Sequence, residues 1–169
     1  MIQITTFDSP IGTLTLAASG GQVCLLHFGV RDAHVNASLG RWYPGVPVVE
    51  HPDPAGAVAA IHSYFDGHLD VLDGIAVEMH GTVFQKKVWA ALRFVRAGTT
   101  VAYAEVARVI AAPSSVRAVG AANGANPIAV IVPCHRIIGT NGTLTGYGGG
   151  LDRKRWLLAH EGVQRSMFV

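Results

Sequence analysis

Charge is scarce in this chain. Only 14% of its 169 residues are Asp, Glu, Lys or Arg, where an average globular protein carries roughly 25%. Apolar residues make up 50%, so a disordered chain, which needs low hydrophobicity and high net charge, is excluded. Cysteine is almost missing. Cys24 and Cys134 are the only two; they cannot build a disulfide framework and suit a cytosolic thiol role better. Long apolar runs are absent. The longest, Ile128 to Val132, stops at Pro133, far short of the ~20 residues of a membrane-spanning helix. Met1 to Pro10 has no basic start and no apolar core of signal-peptide length, which points to the cytoplasm and to no membrane partner. No internal repeat or low-complexity segment is visible.

The few charges are unevenly placed. Residues 1–80 carry two arginines against eight acidic residues, a net −6, while residues 81–169 carry eleven Lys and Arg against Glu105, Asp152 and Glu161, a net +8. Charge alone leaves two readings open: a second half that meets a polyanion, or two oppositely charged solvated faces.

The pattern of residues also changes near residue 80. Ile2–Phe7 alternates, and turn residues separate it from Thr13–Ala17 and from Gln22–Phe28. This predicts a three-stranded antiparallel meander. Residues 29–52, with Pro44, Pro47 and Pro52, read mostly as loop. Asp53-Pro54 predicts a helix start, with Val58, Ile61 and Phe65 on one face and Gly67 as the stop. A strand is expected at Ile75–Met79. In the second half Thr82 caps a helical spacing of Phe84, Val88, Ala91, Leu92 and Val95 that ends at Gly98. Tyr103–Ile110 reads as a short helix, Ala112-Pro113 breaks it, and Ser114 or Ser115 caps another that runs to about Ala122. The pair fits a helix-turn-helix, as would many core helix pairs. Asp152 is expected to cap a last helix that ends at Gly162.

The chemistry concentrates further on. The apolar run ending at Val132 delivers Pro133-Cys134-His135-Arg136. Thiol chemistry needs the thiolate, which nearby cationic or basic groups favour. Adjacent side chains on an extended chain point opposite ways, so Cys134 and His135 can cooperate only across a turn or a water. The same residues also fit an inert buried cysteine beside a structural histidine. Glu161 stands in the last turn of its predicted helix, where a carboxylate meets the negative end of the dipole at a cost of about 0.3–1 kcal/mol. Either it is solvated, or it has a partner such as His135, which would follow triad logic. Between them, six of the twelve residues 139–150 are glycine: a mobile loop, or a wall where backbone must approach a flat ligand.

Ile131-Val132-Pro133-Cys134-His135-Arg136-Ile137-Ile138 resembles the active-site signature of the O6-alkylguanine-DNA alkyltransferases. So, in family order, do Phe84-Gln85, Val88-Trp89, Ala102-Tyr103, Arg117-Ala118-Val119-Gly120, Asn126-Pro127, Tyr147-Gly148-Gly149-Gly150 and Trp156 to Gly162. The resemblance is close over residues 81–162 and general before them. It implies an α/β N-terminal domain (1–80) with a small antiparallel sheet, and a mostly helical C-terminal winged helix-turn-helix domain (81–169) for DNA binding and alkyl transfer. It implies direct repair of O6-alkylguanine, and of O4-alkylthymine, in double-stranded DNA. The base flips out and its alkyl group passes irreversibly to Cys134, once per molecule and without a cofactor. The protein would be a monomer that can cluster on DNA.

The implied roles follow position by position. Cys134 is the acceptor, and His135 its base through a water, oriented by Glu161. Tyr103 donates to N3 of the guanine and crowds the rotating phosphate. Asn126 holds the turn before the active-site strand, and Lys154 braces the active-site loop. Arg117 enters the base stack, with Ser115, Asn123 and Arg136 also on the DNA side. The substrate pocket takes Val132, Ile137, Tyr147, Gly148 and Gly149, with the carbonyls of Cys134 and Ile137 accepting from the 2-amino group. Two positions depart from some members: Gly148 stands for a serine, and Asn123 for an apolar residue. Metal is not expected, because Cys24-x-x-His27 supplies two ligands and a structural site normally needs four. Rival readings are a thiol hydrolase, which would turn over, and a DNA-binding lesion sensor, whose relatives lack the cysteine.

Overall fold

The computed structural model describes residues 1–164. They form two compact units, one of Met1–His80 with Pro127–Ala129, the other of Gly81–Asn126 with the described residues from Val130 onward.

In the first unit the alternating segments become β1 (Ile2–Phe7), β2 (Leu14–Ser19) and β3 (Gln22–Phe28), joined antiparallel with a register shift at Ala17/Ala18. The sheet is mixed rather than antiparallel, because β4 (Val48–Glu50) adds to its edge parallel to β1, giving the order β3-β2-β1-β4. The stretch read as loop also contains helix α1 (Ala33–Trp42). Its start is chemical: the Asp32 side chain accepts from the Val35 amide at 2.8 Å, satisfying one of the helix's orphan donors. Val35 and Leu39 then pack one turn apart against Ile2, Ile4, Ala17, Cys24 and Leu25. The prolines that suggested a loop all lie beyond α1.

Asp53 does not start a regular helix. A tight 3-10 turn, Pro54–Gly56, comes first, with Ala55 at φ 56° and Gly56 at φ 69°, and α2 (Ala57–Phe65) follows. Asp53 Oδ1 still reaches forward to the Val58 amide at 2.8 Å. The strand expected at 75–79 is a single bridge between Val23 and Val77; Val23 exchanges bonds of 2.9 Å with Ala76 and Glu78, and pairing goes no further.

The second unit begins with α3 (Val83–Leu92), whose start carries a full capping box between Thr82 and Gln85. Trp89 is buried on it and donates Nε1–H to the Ala122 carbonyl at 2.8 Å. Next come β5 (Val101–Ala102), α4 (Tyr103–Val109) and α5 (Val116–Gly124). Ala111, at φ 59°, turns the chain after α4. Ser115 flanks α5 without a side-chain capping bond, and α5 runs to Gly124 rather than Ala122. The expected active-site strand is absent: after an isolated bridge at Ile128 the chain turns, with Val130 at φ 69°. A short buried apolar run has no periodicity that separates strand from turn. β6 (Ile137–Ile138) pairs parallel with β5. The last helix, α6 (Leu151–His160), starts from Gly150 at φ 87° rather than from Asp152, which is exposed in its first turn. No described helix is long and apolar enough to cross a membrane.

Candidate active site

Pro133 leads into a single 3-10 turn, Cys134–Arg136, closed by the Arg136 amide on the Pro133 carbonyl at 3.1 Å. This supplies the turn that the Cys-His juxtaposition requires. All three side chains are buried: Cys134 at 5% exposure, His135 at 0% and Arg136 at 3%.

His135 and Arg136 converge on one carboxylate. His135 Nε2 donates to Glu161 Oε1 at 2.7 Å. Arg136 forks onto the same group, Nε to Oε2 and Nη2 to Oε1, each at 2.9 Å. A third guanidinium bond goes to the Val95 carbonyl. Glu161 is therefore not solvated, and its place at the end of α6 is offset by two donors. Burial pushes the Glu161 carboxyl up, but the bonds and charges of His135 and Arg136 outweigh it and hold the group well below the usual carboxylate range. Burial pushes the His135 imidazole down; Glu161 pulls it the other way without reversing the shift. The ring is thus neutral near pH 7. Because Nε2 carries the proton shared with Glu161, Nδ1 presents a lone pair, and Nδ1 is buried with no partner among the described residues.

Cys134 faces different groups. The Asn126 and Tyr147 side chains and the nearby positive charge of Lys154 favour the thiolate form of Cys134. Asn126 Nδ2 also donates to the Val132 carbonyl at 2.8 Å. These groups lower the thiol pKa, yet burial outweighs them and raises it. With its pKa raised above the ordinary thiol value, the sulfur carries its proton at neutral pH. Lys154, fully buried, donates to the carbonyls of Ile137 at 2.5 Å and Thr145 at 3.1 Å. Burial brings its pKa down to about 8.

Two expected DNA contacts are corrected by burial. Arg136 is locked onto Glu161. Asn123, 3% exposed, points inward and donates to the Cys134 carbonyl at 3.3 Å. Asn123, in the last turn of α5, and Asn126, just beyond it, both hold the segment that carries Cys134. Arg117 is exposed on α5, and Ser115 is half-buried just before it. The Ile137 carbonyl, expected to meet the base, already accepts from Lys154.

A cavity of ≈ 500 Å³ is lined by Tyr103, Val116, Arg117, Gly120, Gly124, Thr140, Thr145, Gly146, Tyr147 and Gly148; Cys134 does not line it. Tyr147 and Gly148 were expected there. Val132, Ile137 and Gly149 are buried and do not line it. Thr140 and Thr145 had no sequence signal, since a loop of mixed glycine and threonine carries no periodicity, and Val116 reads only as an apolar residue at a helix start. A Cβ at Gly148 would meet nothing within 4 Å, so that wall has room for a side chain or a larger ligand. Among the described residues no group of three or more His, Cys, Asp or Glu could hold a metal ion.

Comparison with known proteins gives concordant results. A family model described as 6-O-methylguanine DNA methyltransferase, DNA binding domain, matches residues 83–163. The methylated-DNA–protein-cysteine methyltransferase of Mycolicibacterium paratuberculosis is 48% identical over 162 residues, 95% of this chain and 93% of that protein. Its counterpart from Salmonella typhimurium is 49% identical over 120 residues, 71% and 70% of the two chains. Among solved structures, the O6-methylguanine methyltransferase of Mycobacterium tuberculosis gives a TM-score of 0.79 at 42% identity, covering 95% of this chain and 93% of that one. The M. tuberculosis OGT structure in complex with DNA gives 0.77 at 40% identity, covering 98% and 94%.

Proposed function

This chain belongs to the methylated-DNA–protein-cysteine methyltransferase family and is an alkyl-transferring DNA-repair protein, and from that premise we propose that Cys134 accepts the alkyl group of O6-alkylguanine, and of O4-alkylthymine, in one irreversible step. The observation that carries this reading is the buried His135–Glu161 bond of 2.7 Å. It fixes the imidazole with Nδ1 as proton acceptor in the turn that holds the thiol.

Through a bridging water, His135 takes the thiol proton. The sulfur attacks the alkyl carbon in line, the S–C bond forms, and the C–O6 bond breaks. Tyr103, on the cavity wall, gives a proton to N3, so the purine departs neutral rather than as an anion. The imidazolium is stabilised by the Glu161 carboxylate. The thioether is stable, and each molecule acts once.

Burial of the thiol supports base flipping, since a base inside the duplex stack cannot reach a sulfur that is 5% exposed. In this reading α4 and α5 are the helix-turn-helix pair, loop 139–150 is the wing, and α5 lies in the minor groove with Arg117 entering the stack. Residues 1–80 then form the N-terminal domain, and residues 81–169, the last five outside the described residues, the DNA-binding and alkyl-transfer domain. The protein works as a monomer able to cluster on DNA, in the cytoplasm.

Intact mass tests the central claim. After incubation with a duplex oligonucleotide bearing O6-methylguanine, the protein gains the mass of one methyl group, located on the Cys134 peptide, with one-to-one stoichiometry. Continued turnover, or an unmodified sulfur, rejects it. A second expectation concerns Arg117. Arg117→Ala slows repair in duplex DNA about tenfold or more, because flipping costs a few kcal/mol, while reaction with free O6-benzylguanine stays near wild type. Equal losses in both assays remove Arg117 from the flipping step.

A further inference from the structure

The cavity wall contains the Thr145 hydroxyl, which the reaction scheme does not use. Thr145 Oγ1 donates a hydrogen bond to the Tyr103 hydroxyl oxygen at 3.1 Å. A phenol has one proton to give and can accept from a neighbour at its oxygen. With Thr145 donating to that oxygen, the Tyr103 proton is turned away from Thr145. An accepted bond also polarises the O–H and makes it a better donor.

The threonine is itself held in place. Lys154 donates to the Thr145 carbonyl at 3.1 Å and, at 2.5 Å, to the carbonyl of Ile137, in the strand that follows the Cys134 turn. One buried ammonium thus ties the glycine-rich loop to the segment carrying the nucleophile. The ring of Tyr103 is flanked on α5 by Gly120, where a Cβ would sit 3.9 Å away in ordinary contact. Both ends of the phenol are therefore positioned, the ring by α5 and the hydroxyl by the loop.

We infer that Thr145 is a positioning residue for alkyl transfer: its hydroxyl sets Tyr103 as the proton donor to the departing purine. The inference rests on the proposed role of Tyr103, and the substrates must separate the two claims. Two duplex oligonucleotides serve, one with O6-methylguanine and one with its 3-deaza analogue, in which CH replaces the acceptor N3.

Wild-type protein is expected to react faster with O6-methylguanine than with the analogue. Thr145→Val keeps the shape and the backbone carbonyl that Lys154 holds, but loses the hydroxyl. It is expected to lose about five- to tenfold in rate on O6-methylguanine, the scale of one hydrogen bond, and nothing on the analogue. Thr145→Ser should restore the wild-type ratio. A Thr145→Val loss of equal size on both substrates would mean that the threonine only shapes the loop, and no loss on either would mean that it is idle; each overturns the inference while leaving Tyr103 in its role. If wild type reacts equally with both oligonucleotides, the Tyr103 assignment falls and this inference with it.

Discussion

Replacing Glu161 with alanine should cost this protein about 3–5 kcal/mol of stability, the usual penalty for removing one partner of a buried ion pair, and should end alkyl transfer. Glu161 accepts from Arg136 twice and from His135 once, and all three residues are buried. Without the carboxylate, the guanidinium keeps a bond to the Val95 carbonyl but has no counter-charge. The imidazole loses the acceptor that fixes its proton on Nε2. Urea denaturation monitored by Trp fluorescence measures the first effect, and methyl incorporation the second. Glu161→Gln separates them. The amide keeps the volume and one acceptor oxygen, but it turns an N–H₂ toward donors, so it should fold more stably than the alanine variant and still transfer poorly.

The pH dependence follows from the same cluster. The folded Glu161 pKa lies below its unfolded value of about 4.3, so its contribution is present above that value and is lost as pH falls through the folded pKa. His135 is also depressed when folded. Its unfolded form takes up a proton below about pH 6.5 while the folded ring stays neutral, so stability falls with acid there too. Wild-type stability should therefore decline as pH drops below about 6.5 and again below about 4. Glu161→Gln should lack the lower limb. A wild-type profile flat from pH 7 to pH 3 would contradict the assigned charge states.

Cys134→Ser is the second large effect, and it should act on chemistry alone. A serine hydroxyl is smaller than the thiol and fits the same buried site. Its pKa lies far above that of a thiol, and oxygen is the poorer nucleophile toward an alkyl carbon. No alkyl transfer is expected over the time in which wild type completes its single event, with the urea midpoint unchanged. Binding to O6-methylguanine duplex should remain, measurable by fluorescence anisotropy. Methyl transfer to the serine peptide, or transfer to another residue, would sink the assignment of Cys134 as acceptor.

Where local chemistry decides structure, the sequence was readable. Thr82 with Gln85 announces the start of α3, and the alternation of Ile2–Phe7 announces β1, because capping and pleating need only near neighbours. Helix α1 was hidden by the prolines after it, although Asp32, its cap, was in plain view. The turn at Val130 was misread as strand because a short apolar run looks the same in either state when buried. The family resemblance puts Arg136 and Asn123 on the DNA side; their inward direction depends on partners distant in the chain, Glu161 and the Cys134 carbonyl.

The amino-acid order alone determined which thiol, imidazole and carboxylate this protein carries, since the Pro133-Cys134-His135-Arg136 run and Glu161 are chemistry written in residue types. Tertiary structure alone decided how they are wired and charged. Two donors, a neutral imidazole and a guanidinium, share one carboxylate because α6 brings Glu161 to the turn at Cys134. The thiol keeps its proton at rest because desolvation outweighs its neighbours, and desolvation belongs to packing in space rather than to any stretch of chain.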